Sequence, residues 1–323
     1  MAKKVRWGIV GLGKIANKFA ADLLLSENAE LHAVASRDQG KANDFATLYH
    51  AKKSYDSYKK LAKDPDVDVV YIATPHVFHY ENTLMCLDNG KHVLCEKPLG
   101  MNAIQVGEML ALAKKKDLFL MEGIWTRFHP STQKVLDLIK QETIGEIIHL
   151  RADFGFAAAF DTEKRLFNKL LGGGSLLDVG LYPVYLSLQL LGKPQSISAQ
   201  ARFTETGVDD FCTMTFDYRN SIKAQLESSL AINTSTKAYI VGIQGTIKIH
   251  SRFHECKRIS LFKNGEEQVF DFEMKGNGYI YEIEEVNRCI SQGNTESEKL
   301  PLSFSLTLSQ TLDSVLNEIG LEY

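Results

Sequence analysis

Lys97, Asp178 and Tyr182 are residue types that together can move a proton. Their settings single them out: the lysine stands in Glu96-Lys97-Pro98, and the aspartate and tyrosine follow Gly172-Gly173-Gly174. Oxidising an alcohol requires a base to take the hydroxyl proton while hydride leaves for an acceptor. A free tyrosine, with a pKa of about 10, is a poor base near neutrality. Lowering it by about three units takes roughly 4 kcal/mol, and a nearby ammonium in a water-poor cleft can supply much of this. Lys97 is the obvious source, and its three donors can also hold a substrate hydroxyl and a ribose hydroxyl. Asp178 is expected to orient the substrate or Lys97 rather than act as the base. The competing readings are a helix cap for Asp178, a packed core ring for Tyr182 and a surface salt bridge for Lys97.

The hydride acceptor is read from the N-terminus. There the apolar run Val5 to Val10 leads into Gly11-Leu12-Gly13-Lys14-Ile15-Ala16, a G-x-G-x-x-A fingerprint. Gly11 allows the tight turn, Gly13 lets the backbone approach a pyrophosphate, and Ala16 permits close helix packing. Lys14 and Ile15 open a helix whose first amides face the anion. The second strand ends Ser36-Arg37-Asp38, where an acidic residue would normally grip the ribose 2′-hydroxyl of NAD. A serine hydroxyl and an arginine fork suit a 2′-phosphate instead, so NADP is the expected cofactor. NAD stays possible, because Asp38 could fill the acidic role two residues late.

The third strand delivers Thr74-Pro75-His76, with His79 one turn on, and the fourth delivers Glu96 and Lys97 to the same edge. All six are candidate cofactor contacts, with a cap of its own helix the alternative for His79. Trp125, Arg127, Phe154 and Phe156 could form an aromatic wall with one cation near the nicotinamide, against core packing as the ordinary reading. Arg127 is assigned to the cofactor, and Trp125 and Phe154, with Asp178 and Tyr182, to the substrate. For Glu122 and His129, loop solvation is favoured over a functional contact.

The elements that must position these groups come in two styles. Through residue 122, Val5 to Val10, Leu31 to Ala35, Val67 to Ala73, His92 to Cys95 and Leu118 to Met121 read as strands with helices between. This alternation predicts a doubly wound α/β parallel sheet, with ligands at the strands' carboxyl ends. Beyond it lie a helix pattern over Gln133 to Gln141, a strand over Ile147 to Phe156 and a helix over Leu181 to Leu191. Successive strands then run from Ile197 to Phe262, predicting an open, mostly antiparallel α+β sheet with helices. Pro183 is best tolerated in a first turn, so the helix bearing Tyr182 is expected to start near Leu177 to Gly180, its positive end favouring a phenolate. The expected domains are 1–122, binding the dinucleotide, and 123–323, binding substrate and mediating oligomerisation, with the site in the junction between them.

Composition bounds the classes. At 323 residues there is room for about two domains of roughly 150 residues each. Lys plus Arg total 37 against 40 Asp plus Glu, so no extended positive field points to nucleic acid. No apolar run suggests a membrane span or a signal-peptide core, and a cytoplasmic location is expected. The five cysteines are scattered singly and predict no disulfide framework; Cys95 is read as strand packing rather than a redox group. Histidines and carboxylates show no metal-site spacing, so no metal is expected.

Taken in order, the glycine fingerprint, Ala73-Thr74-Pro75 with His79, Glu96-Lys97-Pro98 and Gly172 to Tyr182 resemble the glucose-fructose oxidoreductase and inositol dehydrogenase family, Gfo/Idh/MocA, across both domains. The resemblance implies a Rossmann domain, an open antiparallel second domain and a lysine near the nicotinamide. Many members carry histidine where this chain has Tyr182. Tyrosine there, and Glu122 to Phe128 with Pro130, look like the branch of dimeric dihydrodiol dehydrogenases and NADP-dependent xylose dehydrogenases. The implied activity is NADP-dependent hydride transfer at a CH–OH group of a sugar, polyol or trans-diol, in a homodimer or homotetramer. The competing classes are an NAD-dependent glycosidase on the same fold and a non-catalytic NADP-binding sensor, because fold analogy leaves the chemistry open.

Overall fold

A computed structural model describes residues 4–323. The chain forms two compact units: one runs through Phe128 and takes in Met274–Leu306, and the other comprises His129–Glu273 with Thr307–Tyr323. The segment 274–306 thus returns to the dinucleotide-type unit, where a division at residue 122 would leave it with the second domain.

The first unit contains β1 (Val5–Val10), α1 (Lys14–Leu23), β2 (Ala29–Ala35), α2 (Gln39–Tyr49), β3 (Lys53–Tyr55), α3 (Tyr58–Ala62), β4 (Val69–Ile72), α4 (His79–Asp88), β5 (His92–Glu96), α5 (Ala103–Lys116) and β6 (Leu120–Gly123). Its six strands are all parallel in the order β3-β2-β1-β4-β5-β6. The interior strands are buried on both faces, which is why β4 reads as an unbroken apolar run. Chain order reverses between β1 and β4, so the crevice beyond their carboxyl ends is where such a sheet takes a ligand.

The second unit begins with α6 (Pro130–Lys140), β7 (Ile147–Gly155), α7 (Leu181–Leu191), β8 (Ser196–Phe203) and β9 (Asp209–Asp217). It continues with β10 (Lys223–Ser229), β11 (Ala238–Gly242), β12 (Gly245–Ile249), β13 (Arg258–Lys263) and β14 (Glu266–Asp271). These eight strands form one sheet, β14-β13-β12-β11-β7-β10-β9-β8, antiparallel except where β7 meets β10. Along β7, β9 and β10 alternate residues such as Leu150, Met214 and Leu226 are buried, while Arg151, Thr213 and Gln225 reach solvent. One face is therefore packed, in part by α7, and the other is open.

Two helices close the chain, α8 (Ile280–Ser291) and α9 (Leu302–Ile319). Asp22 of α1 anchors the first of them. Its fully buried carboxylate accepts the amides of Asn277, Tyr279 and Ile280 at 2.8–3.2 Å. A buried carboxylate satisfied by helix-start amides also neutralises the positive helix end. Trp7 Nε1 adds a bond to Asn287 Oδ1 at 2.9 Å, so α8 is held to β1 as well. No helix among the described residues is long and apolar enough to cross a membrane.

Candidate active site

At the β1–α1 turn, Gly11 has φ +88°, and a Cβ there would meet the Ala73 carbonyl group and Thr74 N at 2.8 Å. Only glycine allows that close a pass between the ends of β1 and β4. Gly13 is the extended N-cap of α1 and makes no side-chain cap, which leaves the first helix amides to an external acceptor. Nothing lies within 4 Å of a Cβ built at Gly13, and Gly13 and Lys14 are exposed while Ala16 is buried. The turn thus fits a dinucleotide pyrophosphate.

Beyond β2, Ser36 is buried and its Oγ accepts the Asp38 amide at 3.2 Å. The Asp38 carboxylate caps α2 by accepting Lys41 N–H at 3.1 Å, and Arg37 is exposed. The Asp38 carboxylate is thus engaged in a cap, beside a buried serine and a solvent-facing arginine.

Beyond β4, Thr74 Oγ1 accepts Asn82 Nδ2 at 3.2 Å, and His76 is buried at the start of a short 3₁₀ turn after Pro75. His79 opens α4 fully buried, with Nδ1 2.7 Å from the Pro98 carbonyl oxygen and Nε2 2.8 Å from that of Thr74. The imidazole ties the β4 loop to the Glu96-Lys97-Pro98 segment. Glu96 accepts the hydroxyl of Tyr71, and its other oxygen lies 3.3 Å from the Lys97 amide nitrogen. Lys97 is half-buried and precedes a cis peptide bond to Pro98. Burial pushes the Cys95 thiol well up, as befits a packing residue. Glu122 at the end of β6 is buried, not loop-solvated; Oε1 accepts the Leu99 amide at 2.9 Å. Burial lifts its carboxyl to about 7, against the opposing effects of the Ser305 hydroxyl, the Leu99 amide and Lys97. Trp125 stacks on Tyr279, with centroids 4.4 Å apart, and Arg127 Nε donates to the Lys299 carbonyl at 2.7 Å.

In the second unit, Gly174 has φ +113°, and a Cβ there would run into the Asp209 carboxylate and the Tyr323 hydroxyl. The helical run starts at Leu176 with one wide π-type turn, Leu176–Gly180, and passes into α7. Pro183 thus lies beyond the first turn of this continuous run, just after the wide turn, where the altered hydrogen-bond ladder accommodates its missing amide. Asp209 Oδ2 accepts Ser175 Oγ at 2.6 Å and the Leu176 amide at 2.8 Å, and Ser175 Oγ lies 2.9 Å from Ser228 Oγ. The positive helix end is therefore answered by a buried carboxylate, which corrects the expectation that it would favour a Tyr182 phenolate. Burial raises the Asp209 carboxyl, with the Ser175 and Leu176 hydrogen bonds opposing.

Asp178 lies in the wide turn, buried, and accepts Arg165 Nη2 at 2.8 Å. No local pattern marks Arg165 as this partner, because the two stand 13 positions apart across a stretch of short 3₁₀ turns and the glycine loop. The Tyr182 ring is buried beside Phe154, centroids 5.6 Å apart, and His254, 5.1 Å; His254 stacks on Phe154 at 4.1 Å and 16°. His254 is the site residue that sequence reading missed, since the short turn Phe253–Glu255 carries no motif. Phe156 does not join this group; it packs on the cluster of Phe167, Val208 and Leu230. His129, read as loop-solvated, is fully buried. Among the described residues, one trio of potential metal ligands, His32, Asp64 and Asp66, lies within reach of a single ion. Lys53 Nζ already sits 3.1 Å from Asp64 Oδ1 and 3.0 Å from Asp66 Oδ2, so both carboxylates share an ammonium.

Comparison with known proteins agrees with both halves. Residues 5–124 match the model of the oxidoreductase family with an NAD-binding Rossmann fold, and residues 132–248 match the GFO/IDH/MocA C-terminal domain. The trans-1,2-dihydrobenzene-1,2-diol dehydrogenase of Xenopus tropicalis is 38% identical over 98% of this chain and 99% of its own. The human enzyme of the same name is 37% identical over 99% and 98%. Among solved structures, the 3-ketoreductase KijD10 of Actinomadura kijaniata, in complex with NADP and TDP-benzene, superposes with a TM-score of 0.89 at 25% identity, over 98% of each chain. The aldose-aldose oxidoreductase of Caulobacter crescentus reaches 0.89 at 22% identity, over 98% of this chain and 97% of its own, a likeness of fold alone. The chain belongs to the Gfo/Idh/MocA family and is an NAD(P)-dependent oxidoreductase.

Proposed function

We propose that the protein is an NADP-dependent dehydrogenase, reversible toward carbonyl reduction, acting on the CH–OH group of a sugar, polyol or trans-diol. The carrying observation is the aromatic setting of Tyr182: a phenol held beside Phe154 and His254 suits a base that works against a ring or diol face. The relatives named for a dihydrobenzene diol support the same substrate class. In this reading the cofactor accepts or donates hydride, Tyr182 takes or returns the hydroxyl proton, and Lys97 supplies the ammonium that favours the phenolate. Asp178, fixed by Arg165, orients the substrate, with Trp125 and Phe154 supplying apolar surface. The G-x-G-x-x-A turn, Ser36, Arg37, Thr74 to His76, Glu96 and Arg127 hold the cofactor, and His79 fixes two of the loops that do so.

NADP is preferred over NAD because Asp38 is engaged in capping α2 while Ser36 and Arg37 stand at the β2 end. The open face of the eight-stranded sheet supports a homodimer or tetramer, which light scattering in solution would size. Five buried free thiols suit a reducing cytoplasm. The test is absorbance at 340 nm with NADP and, separately, NAD against D-xylose, D-glucose, myo-inositol and trans-benzene dihydrodiol. Turnover with NADP supports the proposal. Binding of NADPH without turnover, or cleavage of an aryl glycoside without net NADPH, would replace it with the sensor or the glycosidase.

A further inference from the structure

Two glutamates grip the backbone of the Lys97 segment from either end. Glu96 approaches the Lys97 amide, and Glu122 accepts the Leu99 amide two residues on. They differ in setting. Glu96 is half-buried and receives the Tyr71 hydroxyl, whereas Glu122 is buried at the carboxyl end of β6, where Cys95 of β5 is its register partner. The groups that act on Glu122 are Lys97 and Glu96, the Cys95 thiol and the Ser305 hydroxyl at the start of α9. Lys97 is the cation among them, and its charge acts on the buried carboxyl in the direction that favours the carboxylate.

We infer that Glu122 is a positioning residue for the proposed hydride-transfer reaction: its carboxylate fixes the Lys97–Leu99 backbone through the Leu99 amide and holds Lys97 in the ammonium form. The inference rests on the reading of Lys97 as the ammonium that serves Tyr182. A carboxylate this placed does two separable jobs, a hydrogen bond and a charge. Glutamine keeps the first, since its amide oxygen can still accept Leu99 N–H, and removes the second. The buried, raised carboxyl means the charge is established only as pH climbs past neutrality, so it is in place before the alkaline range in which a lysine ordinarily loses its proton.

The test is the titration of Lys97 itself in the full-length protein, read by trace acetylation across pH and peptide mass spectrometry. Removing a neighbouring negative charge lowers a lysine midpoint, so Glu122→Gln should move it down by about one pH unit, while Glu122→Asp, which keeps the charge, should leave it near wild type. The alkaline limb of kcat/KM should shift in the same direction in Glu122→Gln, with the thermal midpoint at pH 4, below the carboxyl's unfolded value, unchanged. Glu122→Ala, which loses both jobs, should also weaken NADPH binding. A Lys97 midpoint that is the same in Glu122→Gln and wild type overturns the inference. If Glu122→Gln does not fold, Lys97 in the wild type still decides: its reactivity must drop below a simple single-site curve as Glu122 ionises, and a single-site curve overturns it. Absence of turnover with every alcohol would sink the proposed function instead, while the acetylation titration would still read Glu122.

Discussion

Lys97 and Tyr182 are presented by opposite strategies. Lys97 stands on a loop, and buried side chains hold that loop through its backbone: His79 on the Pro98 carbonyl, Glu122 on the Leu99 amide, Glu96 beside the Lys97 amide. Tyr182 stands on a helix and is held as a ring among rings, with Phe154 and His254. A polar lock, Asp209 with Ser175 and Leu176, acts at the start of that helix. Flexible cations need their backbone fixed because the side chain is mobile, whereas an aromatic ring loses little freedom and is aimed by packing alone.

Breaking the ring side at its working atom should have the largest effect. Tyr182→Phe keeps the packing with Phe154 and His254 but loses the proton carrier, and kcat should fall about 10²–10⁴-fold while the Kd for NADPH is retained. Near wild-type turnover in a steady-state assay would end the assigned role. Next comes the lock on the helix start. Asp209→Ala leaves the Leu176 amide and Ser175 hydroxyl without their acceptor, and unfolding in urea should show a loss of about 1–3 kcal/mol. If Asp209→Ala is as stable as wild type, the helix start does not depend on this lock and the ring packing around Tyr182 carries more of its placement, which would sharpen the contrast.

On the loop side, Ser36→Asp should weaken NADP and favour NAD by placing a carboxylate where a 2′-phosphate would lie, a shift of about tenfold or more in the ratio of kcat/KM values. An unchanged ratio would remove Ser36 from the cofactor assignment. The smallest expected change in activity concerns Glu282, a fully buried carboxyl on α8 with no hydrogen bond to either oxygen, whose effect is read in stability. Burial, then Glu96 and Asp22, push it well above the usual range. The folded state therefore keeps a proton that the unfolded chain has released. The stability is full below the unfolded value and falls as pH rises toward the folded one, at up to about 1.4 kcal/mol per pH unit. Glu282→Gln should flatten that fall, so its thermal midpoint should exceed wild type at pH 8 and match it at pH 4. Equal midpoints at both would show the charge is already compensated.

Elements with strong local patterns were legible. The runs Val5–Val10 and Leu181–Leu191 are read with the bounds they adopt, because a mostly apolar strand leading into a glycine turn and a strongly apolar helix carry their own signals. The short β3 and the mostly exposed β14 were not, since neither alternates burial strongly enough to mark a face. The site divides in the same way. Gly11, Gly13, Lys97, Asp178 and Tyr182 stand in motifs; His254, Arg165, Asp209 and Glu122 take their places through contacts that no window of sequence contains.

By itself the sequence determined the parallel sheet with its glycine turn, the open second sheet, and which residue types could exchange a proton and bind a dinucleotide, because all of these follow from periodicity and from spacing within a few residues. The tertiary structure alone decided what holds them. It assigned Asp22 to the start of α8, Asp209 to the start of the helix that bears Tyr182, His79 and Glu122 to the backbone around Lys97, and Arg165 to Asp178. A buried charge or imidazole takes whatever donor or acceptor the packed chain brings within about 3 Å, and the fold, not the neighbouring residues, determines which that is.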